Sequence, residues 1–220
     1  MMDDNQLMQL IENKQYEEAL KILVQAIDTE PEEVTHYINV GTILLDSNQP
    51  IEAERFFQKA ITVDPTHGGA YYGLANIYYN EDRFDEAVKL YHKAIENGLE
   101  DGDTYYMLGM SFVNLSDFAS ALPFLMRANE LKPDDTEITF QYGLVMCQMN
   151  MFEEASKTLQ RVLSDDPDHT DALYNKALAD YMMNENIDEA IAAFERVVEI
   201  QPDHLLAGHA ITTFKAMKEE

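Results

Sequence analysis

The side chains able to carry catalysis or bind a metal are few and scattered. The six histidines are His36, His67, His92, His169, His204 and His209. None belongs to an H-E-x-x-H pair, where two imidazoles one helical turn apart hold zinc and the glutamate acts as base. His67, His169 and His204 each follow a proline by two residues and read as linker residues. Cys147 is the single cysteine, so the chain has no internal disulfide framework and no cysteine-based zinc site. With no His, Lys or Arg near it in sequence to hold a thiolate, it reads as a small buried hydrophobe. The acidic stretch Glu100-Asp101-Gly102-Asp103 lacks the length and the terminal glutamate of a calcium loop, and with Asp165-Asp166-Pro167-Asp168 it reads as a solvated turn. No phosphate-cradling G-x-x-x-x-G-K-[ST] and no G-x-S-x-G elbow is present. The expectation is a chain that is not an enzyme, with no metal site and no cofactor. What remains is contact chemistry: Tyr72, Tyr106, Phe140 and Tyr174 recur at steps of 34 residues, a ladder of rings on which apolar side chains could lie.

The elements that place those rings follow from the same period. Pro31, Pro65, Pro133 and Pro167 keep it, with Leu99 where the missing member would stand. So do Ala19, Ala53, Ala87, Ala121 and Ala155, and again Ala26, Ala60, Ala94 and Ala128, continued by Val162. A third series of small residues is Gly41, Ala75, Gly109, Gly143 and Ala177. Three independent series at one period define an internal repeat. Within a repeat, apolar residues recur at three and four, the spacing of a helix face. Two helices of roughly 13 residues and two short turns fill the period. The small residues mark close approach of helix axes, and the proline turns the chain out of the second helix.

Two departures stand out. Pro123 lies inside a second helix, where it removes one backbone bond at a cost of roughly 3 kcal/mol unless packing compensates. Asn97-Gly98-Leu99 replaces a unit-ending proline, and Gly98 is expected to supply a left-handed cap.

With an aromatic or apolar residue at position 4, a small one at 8, Ala at 20, an aromatic or Leu at 24, Ala at 27 and Pro at 32, the chain resembles the tetratricopeptide repeat family over essentially its whole length. Ala70-Tyr71-Tyr72-Gly73, Asp103-Thr104-Tyr105-Tyr106-Met107-Leu108-Gly109 and Ile200-Gln201-Pro202-Asp203-His204 are similar to small stand-alone bacterial members. The resemblance implies an all-α, right-handed superhelical solenoid of antiparallel helix pairs. It would be one domain over 1–220, with repeats at about 1–33, 34–67, 68–101, 102–135, 136–169 and 170–204 and a capping helix at 205–217. The sixth repeat carries one extra residue, placed at Asn184-Glu185-Asn186, where a turn absorbs it. It also implies that the first helix of each repeat lines a concave groove. Position 5 then presents Ile38, Tyr72, Tyr106, Phe140 and Tyr174. Position 9 presents Thr42, Asn76, Met110, Leu144 and Leu178, and position 12 includes Tyr79. The candidate peptide-binding residues are Tyr72, Asn76, Tyr79, Tyr106, Met110, Phe140, Leu144, Tyr174 and Leu178. Tyr106→Ala with Phe140→Ala is expected to weaken binding without unfolding the chain.

Charge narrows the partner. Asp and Glu number 41 against 15 Lys and Arg, a formal charge of −26. That excludes direct nucleic-acid binding, which needs clustered cations, and docking on an anionic membrane. The first helices of repeats two to six hold one basic residue, Lys176. A groove with an apolar floor and acidic rim would take an apolar, basic-flanked segment of another protein. It would repel an acidic C-terminal tail. The alternative is a structural solenoid that self-associates. No run approaches 18 apolar residues and the N-terminus carries no secretory signal, so a cytoplasmic location is expected.

Overall fold

The computed structural model describes residues 4–219 and side chains from Leu7 onward. All of the regular structure in that span is helical. The chain forms two compact units, Met1–Leu115 and Ser116–Glu220. The first contains α1 (Asp4–Glu12), α2 (Tyr16–Thr29), α3 (Val34–Asp46), α4 (Pro50–Val63), α5 (Gly68–Asn80), α6 (Phe84–Glu96) and α7 (Gly102–Asn114). The second contains α8 (Phe118–Leu131), α9 (Thr136–Gln148), α10 (Phe152–Asp165), α11 (Thr170–Asn184), α12 (Ile187–Ile200) and α13 (Leu205–Glu219). In the first unit each helix packs on its neighbours in sequence, and α3 also touches α5. In the second, α9 touches α11 in the same manner.

The turn from first to second helix is built the same way in most repeats. Asn48, Asp82 and Asn150 take left-handed backbone conformations, with φ near 58°, and Lys14, Ser116 and Glu185 do likewise. In α3 the amide of Asn48 returns to the Leu45 carbonyl at 2.9 Å and that of Gln49 to the Leu44 carbonyl at 2.8 Å. That pair of bonds satisfies carbonyls which the end of a helix otherwise leaves bare. Asn and Asp tolerate this region; Lys, Ser and Glu hold it at a cost of roughly 1–2 kcal/mol each. At the end of α6, Gly98 supplies the cap expected of it, with φ of 86° and the Leu99 amide bonded to the Ala94 carbonyl at 3.0 Å.

The small-residue series mark the contacts between helices. Ala19, Ala53, Ala87, Ala121 and Ala155 are each wholly buried, as are Ala60, Ala94, Ala128 and Val162. Between them stand Leu23, Phe57, Tyr91, Leu125, Leu159 and Phe194, the large buried side chains of the second helices. Position 4 has a separate task. Tyr37 and Tyr71 donate their hydroxyls to the carbonyls of Pro31 and Pro65, each at 2.9 Å, tying a helix to the turn before it. Helix α8 runs unbroken through Pro123. The extra residue of the sixth repeat accompanies an α11 of 15 residues, where α9 has 13.

The linker reading of two histidines gives way to a structural one. His169 precedes α11 and accepts a hydrogen bond at Nδ1 from the Ala172 amide at 3.2 Å. His204, buried, does the same for Ala207 at 3.1 Å and meets Asp171 through Nε2 at 3.2 Å. Both therefore cap helix N-termini, where amides lack partners.

Candidate functional site

The first helices of the first unit border an open hollow of about 380 Å³. Ile38, Thr42, Leu45 and Asp46 face it from α3, and Gly69, Tyr72, Gly73 and Asn76 from α5. Phe57 of α4 forms its base. Leu99 and Asp101, with Asp103 of α7, close the remaining side.

Two glycines shape this hollow for different reasons. A Cβ on Gly73 would stand 2.2 Å from Cε1 of Phe57, so the ring reaches α5 only because that position lacks a side chain. A Cβ on Gly69 would meet Ile38 at an ordinary 3.8 Å and the His67 ring at 3.2 Å, a tight contact that a shift of the ring by a few tenths of an ångström would relieve. Gly69 is thus compatible with a side chain and leaves that volume open. The corresponding positions elsewhere hold Thr35, Asp103, Glu137 and Asp171.

Of the nine residues expected to line a groove, Tyr72 and Asn76 come together in this hollow. The Tyr72 ring lies 5.8 Å from that of Tyr91. Asn76 has work of its own: its Oδ1 accepts the hydroxyl of wholly buried Tyr91 at 2.6 Å. Burial in turn raises the Tyr91 hydroxyl pKa far above the usual phenol range. Tyr79 is half-buried, edge-on to Phe84 at 5.3 Å, and accepts a bond from Asn114 of α7 at 3.0 Å. Tyr106 and Met110 are half-buried on α7.

In the second unit one candidate residue, Phe140, is buried and the others are half-buried. Phe140 is 7% exposed and lies 4.6 Å from the His169 ring, among Leu159, Val162, Leu163 and Ala172. It is a core side chain, so truncating it would open a cavity, and Phe140→Ala cannot serve as a surface probe. Leu144 packs against the same cluster. Tyr174 is half-buried between Phe194 at 5.5 Å and His204 at 5.4 Å, and burial raises its hydroxyl pKa. Leu178 packs against the cluster around Phe194 and Phe214. The rings of α9 and α11 therefore join neighbouring helices as much as they face outward.

Electrostatically the two faces differ. Helices α3, α5 and α7 carry no Lys or Arg; in this unit those residues are Lys14, Lys21, Arg55, Lys59, Arg83, Lys89 and Lys93, on other helices and turns. In the second unit Lys176 of α11 is neutralised by Asp180 at 2.7 Å, and Asp180 also accepts the Ser156 hydroxyl. Asp101 accepts the Thr104 amide at 2.8 Å and caps α7. Such a bond does not remove the carboxylate charge.

The lining residues missed in the sequence are Asp46, Phe57, Gly73, Leu99 and Asp101. The available signal was the proline absent at 99, which lets a leucine side chain stand at the junction. Among the described residues no group of three or more His, Cys, Asp or Glu is placed to hold a metal ion. No described helix is long and apolar enough to cross a membrane.

The tetratricopeptide repeat family model matches residues 44–108 and 115–181, and a second tetratricopeptide repeat model matches 171–204. No curated protein sequence matches the chain. Among solved structures, one similar to it is YrrB, described as a tetratricopeptide repeat protein with an unusual peptide-binding site. It is 38% identical, with a TM-score of 0.82 over 86% of this chain and 96% of its own. MamA matches at 22% identity and a TM-score of 0.69, over 78% of this chain and 93% of its own. PilF of Pseudomonas aeruginosa matches at 14% identity and 0.76, over 97% and 95%. The last two likenesses are of fold alone. On the repeat pattern, the helix pairs and these matches together, the chain belongs to the tetratricopeptide repeat family.

Proposed function

We propose that the chain is a non-enzymatic interaction scaffold that binds an apolar, basic-flanked segment of another protein along the exposed face of its first helices. The observation that carries this reading is the hollow beside α3 and α5, apolar at its centre, acidic at its margins and free of cations on every first helix around it. The description of YrrB, 38% identical, as having a peptide-binding site supports it. A single groove of this kind supports affinity of roughly micromolar order, about −8 kcal/mol. The contact residues proposed in the first unit are Tyr72, Tyr79, Tyr106 and Met110, with Asn76 at the floor; in the second unit, taken by itself, they are Leu144, Tyr174 and Leu178.

The test uses the full chain as bait in a lysate, at low and at high salt, beside a Tyr106→Ala, Met110→Ala variant. Loss of a partner in the variant, with weakening by salt, supports the groove. A partner held equally by both proteins places its contacts elsewhere. Self-association is decided by measuring mass across a concentration series: a constant 25.2 kDa excludes it.

A further inference from the structure

We infer that the hollow beside α3 and α5 is the anchor subsite of that groove, and that it takes one aliphatic side chain (Leu, Ile or Met) of an extended segment with a Lys or Arg on either side. This rests on the groove reading above and assigns it a place and a register.

Three observations carry it. The first is room. Gly69 is the one first-helix position of its series without a side chain, and the structure would accommodate one there with a small shift of half-exposed His67. The hollow that Gly69 borders, about 380 Å³, falls at the lower end of the roughly 300–1,000 Å³ typical of ligand pockets. The second is the wall. Ile38, Leu45, Tyr72 and Leu99 line the hollow with aliphatic and aromatic surface, which suits a branched or flexible apolar side chain. The third is the placement of charge at both ends of that wall. Asp46 is the last residue of α3, whereas Asp101 and Asp103 stand at the start of α7. A carboxylate at a helix C-terminus is disfavoured by the helix dipole, so Asp46 sits where helix stability alone would select the opposite charge. A segment that buries its apolar side chain at the centre brings its flanking residues to these two margins, where cations are complementary and anions are repelled.

The experiment pans a displayed library of random 12-residue peptides on the immobilised full chain. A synthetic copy of the strongest binder is then titrated by fluorescence anisotropy against wild type, Gly69→Ala, Gly69→Leu, Asp46→Lys and the Tyr106→Ala, Met110→Ala variant, each checked for folding by circular dichroism. Expected are binders in which Leu, Ile or Met lies between basic residues. Their affinity should fall a few-fold in Gly69→Ala and at least tenfold in Gly69→Leu. Asp46→Lys should weaken them similarly and restore binding to a peptide with one flanking Lys changed to Glu. Binders insensitive to Gly69→Leu yet lost in the Tyr106→Ala, Met110→Ala variant would overturn this subsite and leave the groove reading standing. No binder, or binders unaffected by any of these variants, would overturn both.

Discussion

Gly73→Ala tests how the hollow is built. The added Cβ would lie 2.2 Å from Cε1 and 2.4 Å from Cζ of Phe57, far inside van der Waals contact. The ring cannot retreat easily, because Phe57 is 1% exposed and the same Cε1 and Cζ atoms also lie against Gly41, where a Cβ would be 2.8 Å from Cζ. Overpacking of this kind costs about 1–3 kcal/mol. Against it, alanine is a better helix former than glycine by about 1 kcal/mol. A contact of 2.2 Å belongs in the upper part of that range, about 2–3 kcal/mol, so the net expectation is a loss of about 1–2 kcal/mol, and at about 2–4 °C per kcal/mol for a chain of this length the melting midpoint should fall by roughly 2–8 °C. Gly69→Ala is the control: the same substitution on the same helix, against a half-exposed histidine ring that can move, should hold the midpoint or raise it by up to about 4 °C on the same scales. Phe57→Leu should relieve the clash, so the two changes together should cost less than the sum of each alone. Repeat arrays can lose cooperativity, so the comparison is of midpoints from circular dichroism melts of the full chain under identical conditions. A Gly73→Ala variant at or above the wild-type midpoint, with no coupling to Phe57, would refute the contact and with it the account of the hollow's base.

Phe140→Ala should destabilise the chain by about 3–5 kcal/mol in urea denaturation, as for other buried aromatic truncations; a change near zero would return this ring to the surface. Glu185 holds φ of 53°, so Glu185→Gly should stabilise by about 0.5–1 kcal/mol, and a lower denaturation midpoint would contradict the turn geometry. Burial pushes the Cys147 thiol up to about 11, so the folded protein should react slowly with a thiol-specific disulfide reagent at pH 8, and faster as pH approaches 11. Because an exposed thiol in the unfolded chain ionises near 9.0, the stability tied to this group is present below that pH and is lost as pH rises from there towards 11. Prompt labelling of the native protein at pH 8 would show the thiol to be accessible.

Periodicity and charge are properties of sequence, and they were enough for much of this protein. Three series of small residues at one spacing dictate helix pairs, because only small side chains permit close helix approach at those points. The scarcity of cations on the first helices is equally visible before folding. The left-handed caps were partly legible: Gly98 announces itself, and Asn48, Asp82 and Asn150 are tolerant types, but Lys14, Ser116 and Glu185 carry no such signal and are held there by the helices they join. Burial was not legible. Tyr72 and Phe140 occupy equivalent positions, yet one borders an open hollow and the other is sealed beneath His169. The difference lies in what surrounds each ring: Gly69, on the same helix as Tyr72, leaves open space beside it, whereas the His169 ring packs on Phe140 at 4.6 Å. Likewise Asp46, at the end of one helix, and Asp101, before the start of another, border the same hollow only because α3, α5 and α7 bring distant stretches of chain together. Residue types and their period determine which surfaces can exist; the packing of side chains decides which of them stays open.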